Sequence, residues 1–160
     1  MRIGFGYDVH RLKPGRKCIL CGVNIPCDFG PDGHSDADVP VHALIDALLG
    51  AAALGDIGRH FPDTDVKWKD ADSIDLLKST VSLLKTHGYS LGNADITIVT
   101  EAPRLSSYIE AMRTSIANAT GTDTGNISVK ATTEEKLGFT GDGSGLSATA
   151  VVLLYAVDLQ

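Results

Sequence analysis

The stretch DADVPVHALIDALLGAAALG, residues 36–55, carries the clearest helical pattern in the chain. Its apolar residues recur at intervals of three and four, which places them on one face of a helix. Asp36 or Asp38 can cap the start of this helix, and Gly55 can end it. The stretch therefore predicts an amphipathic helix with one buried face, formed by Val41, Leu44, Ile45, Leu48, Leu49 and Ala52.

The flanking sequence predicts strands and two more helices. Their order is β-β-α-α-β-α-β-β, which predicts an α/β fold of the α+β kind. We expect one domain over residues 1–160, with a single mixed sheet and helices on one face. The other face then needs cover, for which a partner subunit is the simplest source. The predicted strands are residues 2–9, 18–25, 93–102, 126–132 and 145–158, and the further helices are residues 73–87 and 102–121.

Composition and charge narrow the class of protein. Apolar residues make up 43% of the chain and the formal net charge is −6, which argues against a broad nucleic-acid-binding surface. No apolar run reaches the roughly 18 residues that a membrane-spanning helix needs. The N-terminus lacks the layout of a secretion signal. We expect no nucleic-acid or membrane partner, and a cytoplasmic protein or an organellar one whose transit peptide has been removed.

Three cysteines lie close together in CILCGVNIPC, residues 18–27. They are either ligands of a metal or ordinary buried thiols. An odd number does not suggest a disulfide scaffold, and no second CxxC pair follows. On a strand, Cys18 and Cys21 would point to opposite faces. The pattern therefore favours buried thiols.

The segment GYDVHRL, residues 6–12, places Asp8 and His10 two apart on a predicted strand. Strand periodicity puts both on the same face, where a carboxylate and an imidazole suit a divalent metal such as zinc. The pair alone is more typical of a structural hydrogen bond, and it is the downstream segment HSDADVPVHALID that shifts the balance toward a metal site. His34 and His42 are the candidate further ligands, and Asp46, one turn after His42, is a candidate to orient it.

Two loops carry polar side chains that suit phosphate or metal binding. KATTEEKLGFTGDGSG, residues 130–145, follows a strand and offers hydroxyls, carboxylates and glycine-rich backbone. Its alternative interpretation is a connection with a solvated acidic tip. GDIGRHFPDTD, residues 55–65, carries Asp56, Asp63 and Asp65, and is either a functional loop or a series of Asx turns.

Taken together, these motifs resemble the family of 2-C-methyl-D-erythritol 2,4-cyclodiphosphate synthases. DVH near the start, HSDADVPVHALIDALLGAAALGDIG, FPDTD, EAPR and KATTEEKLGFTG occur in the family's order and spacing. The resemblance covers essentially the whole chain. It implies an α/β homotrimer that packs its sheets around a three-fold axis, with active sites between adjacent subunits.

The resemblance also implies a reaction, that of a phosphorus-oxygen lyase of the non-mevalonate pathway to isoprenoid precursors. The substrate is 4-diphosphocytidyl-2-C-methyl-D-erythritol 2-phosphate. Its 2-phosphate attacks the β-phosphorus of the diphosphate, CMP leaves, and the cyclic diphosphate forms. The nucleophile belongs to the substrate, so no nucleophilic triad is required of the protein.

Individual residues take family roles by resemblance. Asp8, His10 and His42 match the ligands of zinc or another divalent cation, and Glu135 matches the ligand of magnesium or manganese. His34, Thr133 and Asp56 match catalytic positions. The residues that match substrate contacts are Ser35, Asp56, Ile57, Gly58, Phe61, Pro62, Asp63, Thr64, Asp65, Thr100, Glu101, Ala102, Pro103, Arg104, Leu105, Ser106, Ala131, Thr132, Thr133, Glu134, Glu135 and Phe139.

The sequence departs from the family at Arg104, in the last residues of TEAPRLSS and in GFTGDGSG. Arg104 stands where the family often has Lys, which keeps the charge but changes its geometry. Many bacterial members carry Arg and Glu within GFTGRGEG, where the Arg helps to bind an isoprenoid diphosphate on the trimer axis. This chain has GFTGDGSG instead, and Asp142 would repel such an anion. We expect this axial site to be weak or absent.

Two other functions remain open from the residues alone. One is a zinc phosphohydrolase that uses a metal-bound hydroxide, and the other is a trimeric module in which zinc is structural. Product analysis separates the first from a cyclase. Metal removal separates the second, because loss of a structural metal unfolds the protein.

Overall fold

A five-stranded mixed sheet forms the centre of the molecule. The computed structural model describes residues 1–68 and 70–157. The strands of the chain are β1 Arg2–Pro14, β2 Cys18–Leu20, β3 Val23–Ile25, β4 Phe29–Pro31, β5 Tyr89–Val99, β6 Ile127–Thr132 and β7 Gly145–Ala156. In spatial order the strands of the central sheet are β4, β1, β7, β5 and β6; the β5–β6 pair is parallel and the other neighbouring pairs are antiparallel. A separate hairpin is made by β2 and β3.

Three long helices cover one face of this sheet. They are α1 (Val39–Ala51), α3 (Ser73–Thr86) and α4 (Ile109–Thr120), and the four-residue helices are α2 (Ile57–His60) and α5 (Gly138–Gly141). Helix α1 packs on β1 and β7, α4 packs on β6, and α3 contacts both α1 and α4. The mixed α/β class with helices on one face is thus as predicted. No helix among the described residues is long and apolar enough to cross a bilayer.

Two glycines let α1 lie directly on β1. A Cβ atom at Gly4 would come within 1.9 Å of the Ala47 carbonyl oxygen, and one at Gly6 within 2.0 Å of the Ala43 carbonyl oxygen. Neither position therefore tolerates a side chain without displacing the helix. Because the strand repeats every two residues, Asp8 faces the same way as these glycines. The close contact brings the start of α1 against the polar half of β1.

The buried carboxylate of Asp38 ties α1 to the β2–β3 hairpin. Asp38 is the N-cap of the helix and accepts a hydrogen bond from the Val41 amide. It also accepts from the amides of Cys21, at 2.8 Å, and Gly22, at 2.6 Å. Of the two caps that the sequence allowed, Asp38 is therefore the one used. The side chain is 0% exposed, so it satisfies three amides in the core.

The opposite face of the sheet is open and apolar. Side chains of β1 and β7 alternate, so that every second one points away from the helices. Ile3 is 76% exposed and Phe5 is 65% exposed, far more than a core-forming strand normally shows. The exposed set of this face also includes Tyr7, Val9, Val151 and Tyr155.

Several element boundaries differ from the sequence-based prediction. Residues 18–25 form a hairpin instead of one strand, because Cys21 and Gly22 both have positive φ, 52° and 74°, and make a turn. The strand at 29–31 was not predicted, since it contains glycine and proline. Strand β1 continues to Pro14, past the expected end at residue 9, since it pairs with β4 there.

The later elements also shift at their ends. Helix α4 begins at Ile109, seven residues after the expected start, because residues 101–108 form bends and turns around Pro103. Its predicted end is confirmed by Gly121, whose φ is 68°. Strand β5 runs from Tyr89 to Val99, earlier than residues 93–102. The end of the predicted last strand, residue 158, lies outside the described residues.

Candidate active site

Asp8, His10 and His42 converge on one point between β1 and α1. The Asp8 Oδ2 atom lies 3.1 Å from His10 Nε2 and 3.2 Å from His42 Nδ1. Among the described residues these three are the only group of three or more His, Cys, Asp or Glu whose ligand atoms all lie within 4.8 Å of one another. Of the two histidines that the sequence offered as the third member of the cluster, His42 occupies that position and His34 does not.

The electrostatics of the cluster favour an ionised carboxylate. Burial raises the pKa of Asp8, but hydrogen bonds and charge interactions with His10 and His42 outweigh it and hold that pKa well below its usual range. The hydrogen bond that His10 donates to Asp8 in turn raises the pKa of His10. Asp8 therefore carries a negative charge at ordinary pH, as a cation ligand requires.

The donor set fits a divalent cation. Two imidazole nitrogens and one carboxylate oxygen are a ligand set of catalytic zinc sites, which keep a fourth position for water or substrate. His10 Nδ1 lies 2.7 Å from the Asp32 carbonyl oxygen. A carbonyl only accepts, so Nδ1 carries a proton, and Nε2 is the nitrogen that offers a lone pair to a metal once the metal displaces the proton that Nε2 shares with Asp8.

Ser35 and the segment around His34 lie beside the cluster. Ser35 Oγ is 3.3 Å from His42 Nε2, and the His34 carbonyl accepts from the Asp70 amide. The Arg16 guanidinium donates to the carbonyls of Gly33 and Ser35. This arginine, which the sequence did not single out, fixes the backbone that carries both predicted phosphate contacts.

Asp46 does not make the contact predicted for it. Its Oδ1 accepts from the Ile57 amide at 2.7 Å, which joins α1 to α2. The side chains hydrogen-bonded to His42 Nε2 are instead Ser35 and Ser73, the latter at 2.9 Å. The prediction that Asp46 orients His42 is therefore wrong. Ser73 was missed because a serine at a helix start has an ordinary structural interpretation.

The 55–65 loop contains both Asx turns and a short helix. Asp56 caps α2 and accepts from the Arg59 amide at 2.9 Å, while Asp65 accepts from the Lys67 amide at 2.9 Å. The Phe61 ring packs edge-on against Trp68, with centroids 5.0 Å apart. The side chains of Asp56 and Asp65 thus stabilise the backbone conformation of this segment.

A cavity of about 340 Å³ opens where β5 and β6 end. The two strands are parallel and Val99 pairs with Thr132, so their C-terminal ends meet at the same edge. This brings together residues 100–106 and 131–133, which the resemblance assigns to nucleotide and diphosphate binding. The lining consists of Thr100, Glu101, Pro103, Arg104, Leu105, Ser106, Ile109, Ala131, Thr132 and Thr133.

The remaining predicted residues of the phosphate loop do not line this cavity. Glu135 has a φ of 53°, and its carboxylate accepts from the Thr133 hydroxyl at 3.0 Å. Glu134 accepts from the Thr140 hydroxyl. Phe139 is 43% exposed. The loop thus presents its acidic residues to the surface.

The cavity and the Asp8–His10–His42 cluster share no residue within one chain. Strand β7 separates them, because Ser147 pairs with Val9 on one side and with Val99 on the other. Both regions lie toward the same end of the sheet. Because β7 lies between them, a ligand can contact the cluster of one chain without contacting the cavity of that same chain.

The cysteines behave as the sequence predicted. Cys18 and Cys21 are buried and Cys27 is half-buried, and all three are free thiols. Burial raises the pKa of Cys18 to about 12. A protonated, buried thiol is neither a metal ligand nor a reactive nucleophile.

Comparison with known proteins places the chain in a family. The model of the YgbB family matches residues 1–155. The 2-C-methyl-D-erythritol 2,4-cyclodiphosphate synthase of Moorella thermoacetica is 63% identical over 154 residues, which cover 96% of this chain and 94% of the relative. The enzyme of the same name from Trichlorobacter lovleyi is 59% identical over 154 residues, covering 96% of this chain and 98% of the relative.

Solved structures give the same result. A 2C-methyl-D-erythritol-2,4-cyclodiphosphate synthase in its CDP-bound form is 39% identical with a TM-score of 0.89, over 96% of this chain and 100% of that one. The bifunctional IspDF of Campylobacter jejuni has a TM-score of 0.95 at 43% identity, but this chain spans only 42% of it. Because the matches extend over nearly its whole length, the chain belongs to the YgbB family, that of the 2-C-methyl-D-erythritol 2,4-cyclodiphosphate synthases.

Proposed function

We propose that this chain converts 4-diphosphocytidyl-2-C-methyl-D-erythritol 2-phosphate to 2-C-methyl-D-erythritol 2,4-cyclodiphosphate and CMP. In this reaction an oxygen of the 2-phosphate forms a bond to the β-phosphorus, and the bond from that phosphorus to the CMP oxygen breaks. The observation that carries the proposal is the Asp8–His10–His42 cluster, in a chain whose relatives of 59% and 63% identity bear the synthase name.

Two cation positions follow from the residues. Asp8, His10 and His42 would hold zinc or another divalent cation, and Glu135 would hold magnesium or manganese. Bound there, the cations supply positive charge that offsets the repulsion between two approaching phosphates. The chain itself has a formal net charge of −6, so its own side chains supply little of that charge.

Protein groups from both regions would hold the reacting phosphates in line. His34 and Ser35 would contact the phosphate, on a backbone segment fixed by Arg16. Thr133 would donate its hydroxyl to the diphosphate, and Asp56 would bind the methylerythritol hydroxyls. Most of the rate enhancement then comes from orientation and charge, since the substrate brings its own nucleophile.

The cavity at the ends of β5 and β6 would receive the cytidine part of the substrate. Its volume, about 340 Å³, is at the lower end of the range of small-molecule sites. It combines apolar walls from Pro103 and Leu105 with the hydroxyls of Thr100 and Thr132. The CDP-bound form of a 39% identical relative supports a cytidine nucleotide as the ligand.

We further propose a homotrimer in which each active site lies between two subunits. The open apolar face of the sheet, which includes Ile3 and Phe5, is the surface that three copies would bury around the three-fold axis. Within one chain the metal cluster and the nucleotide cavity share no residue. Packing of neighbouring chains would bring one half from each.

Incubation with the cytidine substrate, followed by ³¹P NMR, tests the reaction. A cyclase gives CMP in a one-to-one ratio with a cyclic diphosphate. An open-chain phosphate product would identify a hydrolase instead. Removal of metal by a chelator should abolish turnover and leave the fold intact, whereas unfolding on metal removal would identify a structural zinc.

A further inference from the structure

A buried hydroxyl and a carboxylate lie directly behind the metal ligand His42. Ser73, the first residue of α3, is 0% exposed, and its Oγ lies 2.9 Å from His42 Nε2. The same hydroxyl donates a hydrogen bond to Asp36 Oδ1. The three side chains come from three different parts of the fold and form one continuous chain of hydrogen bonds.

The direction of these bonds follows from a count of protons. Ser73 has one hydroxyl proton, and Ser73 donates it to the Asp36 carboxylate. Toward His42 the Ser73 oxygen therefore accepts, and Nε2 must carry a ring proton. Nδ1, which lies 3.2 Å from Asp8 Oδ2, is then the nitrogen that offers a lone pair to a metal, once the metal displaces the proton that Nδ1 shares with Asp8. Ser35 Oγ is a second, longer neighbour of Nε2 at 3.3 Å.

Asp36 is itself held in place by backbone contacts. Its Oδ2 accepts from the Ser73 amide at 3.0 Å, and its Oδ1 accepts from the Asp38 amide at 3.3 Å. The Asp36 amide donates to the Ala71 carbonyl. The carboxylate is thus fixed relative to both α1 and the start of α3. A residue that orients the His42 ring must itself be held in this way.

A purely structural role explains Ser73 poorly. Helix α3 is already capped by Asp72, whose carboxylate accepts from the Ile74 amide at 2.8 Å. The Ser73 hydroxyl bonds to side chains, and not to the backbone of its own helix. Ser79 on the same helix shows the ordinary alternative, since its hydroxyl donates to the Asp75 carbonyl one turn earlier.

We propose that Ser73 and Asp36 are positioning residues that fix the tautomer and ring orientation of His42 as a metal ligand. The inference rests on the metal site proposed above. It predicts that the two residues act as one unit: without the Asp36 carboxylate, the Ser73 proton turns toward Nε2 and favours the His42 tautomer with its proton on Nδ1, where the metal binds.

Zinc affinity of the purified protein, measured by competition with a chromophoric chelator, tests this unit. Ser73→Ala should weaken zinc binding about 10–100-fold, as loss of such an outer partner does in other metal sites. The cobalt(II)-substituted protein should show a changed visible spectrum. Ser79→Ala, the same change at an exposed position of α3, should alter neither.

Asp36→Asn and the double variant complete the test. Asp36→Asn should also weaken zinc binding. The double variant should bind zinc as tightly as Ser73→Ala does, because each single change already disrupts the same chain of hydrogen bonds to His42. Two-bond ¹H–¹⁵N NMR of the metal-free protein should show Nε2 of His42 protonated in the wild type, and this nitrogen should lose its proton in Asp36→Asn, where Nδ1 alone stays protonated beside Asp8.

The outcomes separate this inference from the proposed function. Wild-type protein that binds zinc, with unchanged affinity in both single variants, would overturn the positioning role alone. Losses that simply add in the double variant would overturn the single unit. Wild-type protein that binds no zinc would overturn the metal site itself and this inference with it. If Ser73→Ala fails to fold, the affinity and tautomer of Asp36→Asn decide the question.

Discussion

His42 and Glu135, the residues proposed to hold two different cations, stand in contrasting surroundings. The His42 side chain is 12% exposed, and its two ring nitrogens contact Asp8 and Ser73, each more than 30 positions away in sequence. Glu135 is exposed and contacts Thr133, two positions away. The proposed zinc half of the site is built by contacts between distant parts of the fold. The proposed magnesium half is a local loop that substrate and a neighbouring subunit would complete.

This contrast predicts that changes around His42 alter the packing of the fold as well as metal binding and turnover. Changes around Glu135 should alter metal binding and turnover alone. Variants in the two regions therefore sharpen the comparison, and matched controls show whether an effect belongs to the position or only to the type of substitution.

His42→Ala should have the largest effect. Loss of one of three ligands should reduce turnover by on the order of 10³-fold, the scale of removing one group that stabilises transition-state charge. Zinc content, measured by mass spectrometry, should fall while the oligomeric state stays unchanged. His87→Ala, at an exposed histidine that ends α3, is the control and should leave both unchanged. Full activity of His42→Ala would exclude the metal assignment.

Gly6→Ala should move α1 away from β1, the two elements that carry the Asp8–His10–His42 cluster. The added Cβ would meet the Ala43 carbonyl oxygen at 2.0 Å, so α1 must move away from β1. Overpacking of this kind lowers the free energy of unfolding by about 1–3 kcal/mol. Urea denaturation at matched protein concentration measures it, and zinc affinity should fall in parallel.

Gly50→Ala is the matched control for that variant. It makes the same substitution within α1, at an exposed position where a Cβ meets nothing within 4 Å. Because alanine favours the helix, it should stabilise the protein by up to about 1 kcal/mol. Equal destabilisation by the two variants would mean that the close approach of α1 to β1 is not what Gly6 serves.

The three members of the cluster could be predicted from local sequence patterns. The spacing of Asp8 and His10 was sufficient to place both on one face, because strand periodicity is fixed by backbone geometry. The stripe of α1 located His42 at its edge. The glycines at positions 4 and 6 carried a signal of close packing that was not used.

Other features depend on contacts that no local pattern encodes. The hydrogen bond between Ser73 and His42 joins residues 31 positions apart, and a serine at a helix start has a common local interpretation. Asp46 sits one turn after His42, yet it bonds to Ile57 because α2 folds back onto α1. The turn at Cys21 and Gly22 is stabilised by Asp38, which is far along the chain.

Glu135→Gln should have a smaller and purely functional effect. The change removes a charge but little volume from an exposed loop, so stability should not change. The magnesium concentration for half-maximal activity should rise about tenfold, which corresponds to about 1.4 kcal/mol. Glu110→Gln, at an exposed glutamate of α4, is the control. An unchanged magnesium dependence of Glu135→Gln would count against the second cation position.

Addition of an isoprenoid diphosphate should have the smallest effect. Asp142 is exposed and ionised, with its pKa lowered by hydrogen bonds from Ser144, so it would repel an anion bound near the three-fold axis of the proposed trimer. Geranyl diphosphate should therefore leave the melting temperature unchanged. Asp142→Arg, which reverses the charge, should make the protein responsive. A clear stabilisation of the wild type by the ligand would show that the axial site is retained.

The measurement that tests the shared site most directly is subunit complementation. His42→Ala disables only the zinc half and Thr133→Ala only the diphosphate half, so each homotrimer alone should be inactive. When the two chains are co-expressed in equal amounts, sites between subunits should recover about a quarter of wild-type activity by random mixing. Mixed trimers that remain inactive would show that each active site is contained in one chain, which contradicts a site shared between subunits.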